Sequence, residues 1–120
     1  MSEVFLVGLG GAIGSILRYG VGQIFQRTES GFPLGTLCIN VLGSLCIAMI
    51  SSLAIKYGYE NSRLTLLLKT GICGGFTTFS TFSLESMNLL KEGNTIFFFS
   101  YICCTVLFSF LAIYIVERVI

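Results

Sequence analysis

Positions 74 to 82 read GGFTTFSTF, so nine consecutive places hold two glycines, four hydroxyl side chains and three phenylalanines. Hydroxyls donate hydrogen bonds to anions, and an aromatic ring is positive at its edge, so rings turned edge-on make a favourable contact with negative charge. Glycine permits departures from helical geometry. A helix broken here would free carbonyls that coordinate a cation on one side and N–H groups that face an anion on the other. Two further polar sets are aligned. Thr36, Asn40, Gly43 and Ser44 recur at spacings of three and four, which is one face of a helix, and Tyr101, Thr105 and Ser109 recur at intervals of four. An amide, a column of hydroxyls and two ring edges, those of Phe79 and Phe82, make a site for a small anion that needs no fixed positive charge. Taken singly, each serine or threonine is explained by a bond back to a neighbouring carbonyl and each phenylalanine by packing. Three aligned sets favour a site.

Other chemistry has little to stand on. The chain has no histidine and no aspartate, which removes catalytic triads, paired aspartates and histidine metal centres. No enzyme activity is expected. A net charge of +1 gives no basic patch for nucleic acid. The five cysteines, Cys38, Cys46, Cys73, Cys103 and Cys104, form no C-x-x-C pair and are expected to be small apolar packing residues.

The elements that carry these residues follow from composition. A chain of 120 residues that is 54% hydrophobic and 11% charged, with mean hydropathy +0.89, is an integral membrane protein. Stretches 4–25, 34–56, 64–90 and 95–116 are each long enough to cross a hydrocarbon core, which takes ~20 helical residues. We therefore expect a single all-α domain of four transmembrane helices over 1–120, with the third broken in mid-membrane. The activity is then performed within the bilayer. The first span does not read as a signal peptide, since Glu3 opens it and Arg18 interrupts it. Its GLGGAIGSILRYG holds the small-xxx-small pairs Gly10/Gly14 and Gly11/Ser15, which allow close helix approach. It is not a dinucleotide fingerprint, because Gly14 falls one place late and no βαβ unit surrounds it. Pro33 suits the first turn of the second span.

Ionisable residues inside a span cost at least ~2.5 to 3.5 kcal/mol to insert and demand a reason. Lys69 is expected to snorkel to the interface. Arg18 either snorkels or holds helices together, and Glu85 either pairs with Arg18 or faces a wet vestibule. With both termini on one side, that side carries Lys56, Arg63, Lys69 and Arg118, and the other carries Arg27 and Lys91, with Arg18 near it. So small a difference does not fix an orientation. A chain this balanced is able to insert both ways and pair with an inverted copy.

The combination of GGAIGSILRY, GTLCIN, GGFTTFSTFSLE and the Tyr101, Thr105, Ser109 series, in that order on four spans, resembles the CrcB/Fluc family of bacterial fluoride channels. The resemblance implies a multi-pass protein of the bacterial inner membrane. It implies an antiparallel, dual-topology homodimer with two pores along its interface, although some members pair with a homologous second chain. Such channels pass fluoride passively, with strong preference over chloride, and relieve cells of fluoride that enters as hydrogen fluoride and is trapped as the anion. By motif, Phe79 and Phe82 would turn ring edges to fluoride, Asn40 and Ser80 would donate to it with Thr36 nearby, and Tyr101, Thr105 and Ser109 would form a polar track. Thr105 stands where the family usually has serine. Backbone carbonyls of Gly75 and Thr78 from two chains would hold a structural sodium ion, and Arg18 would shape a positive vestibule. Two other readings share the size of this chain. A four-helix drug/proton antiporter relies on a glutamate embedded in the first span, where this chain has only Glu3 at the edge, and a non-transporting assembly subunit leaves the aligned hydroxyls unexplained.

Overall fold

The structure is a computed structural model that describes residues 2–25 and 31–120. Helix α1 (Glu3–Ile24) begins where the Ser2 hydroxyl accepts the Phe5 N–H at 3.3 Å, filling one of the amides a helix start leaves bare. Helix α2 (Leu34–Tyr57) follows Pro33 and stops at Gly58, whose φ of +78° closes a left-handed cap that side chains with a Cβ resist. The third span starts at Arg63, capped by Ser62, and runs unbroken to Phe76 as α3. Within it the backbone passes from Arg63–Thr65 into a π-helical run, Leu66–Cys73, and back to α-helix at Gly74–Phe76. After a gap at 77–79 the span resumes as α4 (Ser80–Lys91), and α5 (Thr95–Val119) is capped by the Asn94 side chain on the Phe97 N–H.

Among the described residues, α1, α2 and α5 are each long and apolar enough to cross a membrane, and α3 and α4 form the bent helix between α2 and α5. The protein is an all-α, multi-pass membrane bundle with its third span bent in mid-chain. The expected side of Arg27 lies outside the described residues. The bend itself falls a turn later than the glycines suggested. Gly74 has helical φ and ψ of −63° and −38°, and the chain leaves the helix at Thr77, where φ is −82° and ψ is +156°.

The glycines serve a different end, which is close helix contact. A Cβ on Gly10 would stand 2.7 Å from the Cα of Gly71, and one on Gly75 would stand 2.6 Å from the carbonyl oxygen of Gly11. Gly14 is likewise pressed on the Ile72 carbonyl, so the expected pair Gly10/Gly14 is what α1 lays against α3. Gly11 carries no such constraint on its own side. Gly43 does the same for α2, receiving the Thr77 methyl group at the bend. Along the other seam α2 packs on α5, with Ile39 and Ala48 of α2 and Tyr101, Thr105 and Val116 of α5 buried. Lys69, on the π-helical run, donates to the Ser51 hydroxyl of α2 at 3.3 Å and lines a cavity with Glu3, from the start of α1, and Glu60, from the turn after α2.

Candidate functional site

The bend leaves backbone groups without helical partners, and in a membrane such groups must be satisfied by protein or by a cavity. Three of them are met by two side chains from other helices. Asn40 of α2 works as a substitute peptide: its Nδ2 donates to the Thr78 carbonyl at 2.9 Å and its Oδ1 accepts the Thr78 N–H at 2.8 Å. Arg18 of α1 donates through Nε to the Gly75 carbonyl at 3.2 Å. The remaining contacts are local. The Thr77 N–H and hydroxyl both donate to the Cys73 carbonyl, and the Thr78 hydroxyl accepts the Thr81 N–H at 3.3 Å, capping α4 from inside the bundle.

Beside the bend lies a 460 Å³ cavity whose wall includes Asn40, Ser44, Phe79, Phe82, Thr105 and Ser109. Polar faces from α2 and α5 thus meet the two aromatic rings at the foot of α4. The rings lie 5.9 Å apart between centroids at 51°. They differ sharply in surroundings: Phe82 is 9% exposed, whereas Phe79 is 78% exposed on the surface of the single chain. The Thr105 hydroxyl is buried on this wall and has no hydrogen-bond partner among the described residues. A buried, unpaired hydroxyl costs ~1–3 kcal/mol, so its presence asks for a ligand or a solvent molecule that it can meet.

The remaining expected site residues separate from this cavity. Tyr101 is fully buried one turn before Thr105, and its hydroxyl donates to Glu85 Oε1 at 3.0 Å. Thr36 is buried beside it and faces a second cavity, of 370 Å³, shared with Glu85, Asn88 and Glu92. Ser80 is exposed, with its hydroxyl 3.5 Å from that of Thr78. The hydroxyl series of α5 therefore divides: Thr105 and Ser109 line the cavity at the bend, and Tyr101 links it through the core to the cavity above. Arg18 lines a third cavity with Thr36, Thr78 and Thr81.

The family profile described as "CrcB-like protein, Camphor Resistance (CrcB)" matches residues 5–116. The chain belongs to this family. Similar proteins agree. A Rhizobium etli (strain CIAT 652) protein named fluoride-specific ion channel FluC is 45% identical over 114 residues, 94% of this chain and 91% of its own length. One of the same name from Chlorobium phaeobacteroides is 39% identical over 114 residues, covering 95% and 88%. A Methanosarcina acetivorans protein named fluoride-specific ion channel FluC 1 is 39% identical over 115 residues, covering 96% and 88%. The residues of this CrcB-like site, from Arg18 to Ser109, all fall within the matched stretch.

Three features of this CrcB-like site were not foreseen from sequence. The cyclic pair between Asn40 and Thr78 joins positions 38 apart in the chain, and no local pattern marks it. The partner of Glu85 is Tyr101, although both residues stood out as polar positions in apolar spans. The π-helical register of LLLKTGIC has no signature in the order of its residues.

Proposed function

We propose that the chain is a fluoride-selective channel that lets fluoride leave the cell passively and so lowers fluoride toxicity. The observation that carries this reading is the cavity at the bend, where Asn40, Phe79, Phe82 and Ser109 meet the buried Thr105 hydroxyl, which has no hydrogen-bond partner among the described residues. Fluoride is small and strongly hydrated, so a selective path has to replace its water with several close donors. Hydroxyls, an amide N–H and ring edges supply them without a cation that would hold the ion too long. The family assignment and the names of the relatives support the same ion. The chain is a channel and not an enzyme. An antiporter reading gains nothing from α1, whose one acidic residue, Glu3, is exposed at its first turn.

In this reading two copies pair antiparallel, with a pore on each side of the interface. Two observations support pairing at the bend: Phe79 is 78% exposed at the depth where the third span breaks, and its ring borders the proposed path. Phe79 of one subunit is then covered by the other. Ser80 and Thr36 lie along the continuation of the path, with Tyr101 behind it. Arg18 adds positive potential that draws anions toward the bend.

The carbonyls of Gly75 and Thr78, two from each subunit, would hold a structural sodium ion. The donor set fits: each carbonyl has two lone pairs and accepts one hydrogen bond here, and oxygen ligands suit a hard cation. Bound there, sodium would supply fixed positive charge and would not be the transported ion.

Thr105 gives the first test. Valine has nearly the same shape and removes only the hydroxyl, so Thr105→Val should leave thermal stability unchanged or raise it by up to ~1 kcal/mol, because an unpaired buried group is lost. Fluoride efflux from liposomes should nevertheless slow by about tenfold, the effect of ~1.4 kcal/mol on a barrier. Unaltered efflux would remove this hydroxyl from the path.

A further inference from the structure

The Gly75 and Thr78 carbonyls, the proposed sodium ligands, are held by side chains from two different helices. The Gly75 carbonyl meets Arg18 Nε at 3.2 Å, and the Thr78 carbonyl meets Asn40 Nδ2 at 2.9 Å. Neither contact is needed to build the helices, since both join positions far apart in the chain. Both act on oxygens that the bend has released from helical bonding, and an oxygen so released is free to rotate with its peptide plane. Asn40 fixes that plane twice, because its Oδ1 also takes the Thr78 N–H at 2.8 Å. Arg18 fixes the other with a planar guanidinium, whose donors point in set directions.

We infer that Arg18 and Asn40 are positioning residues for the Gly75 and Thr78 carbonyls, and that Asn40 couples this carbonyl set to the anion cavity. The inference rests on the sodium reading. A cation bound by four carbonyls from two chains requires those oxygens to hold their directions without it. The partners of a ligating group orient it, and losing such a partner typically weakens metal affinity 10–100-fold. Arg18 is an unusual partner, since it places positive charge beside an oxygen meant for a cation. Its contribution here is geometric, and its charge acts against binding. Asn40 belongs to both places at once: one N–H of its amide is engaged by Thr78, the second makes no hydrogen bond among the described residues, and the side chain lines the cavity beside the phenylalanines. A change in how the Thr78 carbonyl is held therefore moves a donor on the anion path.

Sodium titration of the purified dimer separates geometry from charge. In potassium buffer, rising sodium should raise the melting midpoint of the wild-type dimer, because a ligand that binds only the folded state stabilises it. Arg18→Lys keeps the charge, but carbon replaces nitrogen at the atom that meets Gly75, so it should require about tenfold more sodium for the same rise. Asn40→Ala should show a shift in the same direction, with size-exclusion chromatography reporting whether each variant remains a dimer. Lys69→Gln, which removes a cation away from the bend, should titrate as wild type. If Arg18→Lys matches wild type while wild type responds to sodium, the positioning role is overturned and the sodium reading stands. A wild-type dimer indifferent to sodium would overturn both.

Discussion

Fluoride efflux through the Phe82→Ile protein should fall by roughly 10- to 100-fold, while the protein still folds and assembles. Phe82 is 9% exposed, its ring 5.1 Å from that of Tyr101 and 5.9 Å from that of Phe79, so its position is fixed by packing on both sides. Isoleucine keeps the side chain apolar and branched, and a shape change of this kind in a core costs ~1–3 kcal/mol, which a folded bundle survives. What isoleucine lacks is the positive ring edge. An ion that loses a buried polar contact loses ~1–3 kcal/mol, and each 1.36 kcal/mol is a tenfold change in rate. Electrode-monitored efflux from liposomes, with the elution volume of the same preparation as the control for assembly, checks the result. Efflux equal to wild type from an intact dimer would count against the ring as part of the path.

The largest effect on stability is expected at Gly14. An alanine methyl there would overlap the Ile72 carbonyl and lie 2.8 Å from the Phe76 nitrogen. Both are backbone atoms, so no side chain can swing aside. Overpacking usually costs ~1–3 kcal/mol and more where the neighbours are rigid, and here the displaced helix is the one that ends at the bend. Gly14→Ala should therefore yield little or no monodisperse protein, and what survives should melt well below wild type. Gly8→Ala on the same helix meets nothing within 4 Å and should express normally. Equal yields from the two variants would mean that α1 does not sit on α3 through Gly14.

These two positions also mark how far the sequence can be read. Helices Leu34–Tyr57 and Thr95–Val119 stand where hydropathy led us to expect stretches 34–56 and 95–116, and the helix between them is bent. Small residues at Gly10 and Gly14 announced close contact, since only glycine admits a backbone at that distance. The place of the bend was less legible. A double glycine suggests conformational freedom, but Gly74 stays helical and the chain departs at Thr77, beside the Thr78 peptide that Asn40 of α2 holds through a pairing no local pattern encodes. The same holds for the polar series of α5. Spacing put Tyr101, Thr105 and Ser109 on one face, and only the fold turns Tyr101 to Glu85 and the other two to the cavity.

Fluoride efflux from liposomes that contain this purified protein alone tests the central claim most directly. A potassium ionophore carries the balancing charge, a fluoride electrode follows release, and chloride-loaded vesicles run in parallel. Rapid fluoride release with chloride retained is the predicted result. Well-folded protein that releases neither ion, or releases both at similar rates, would contradict it.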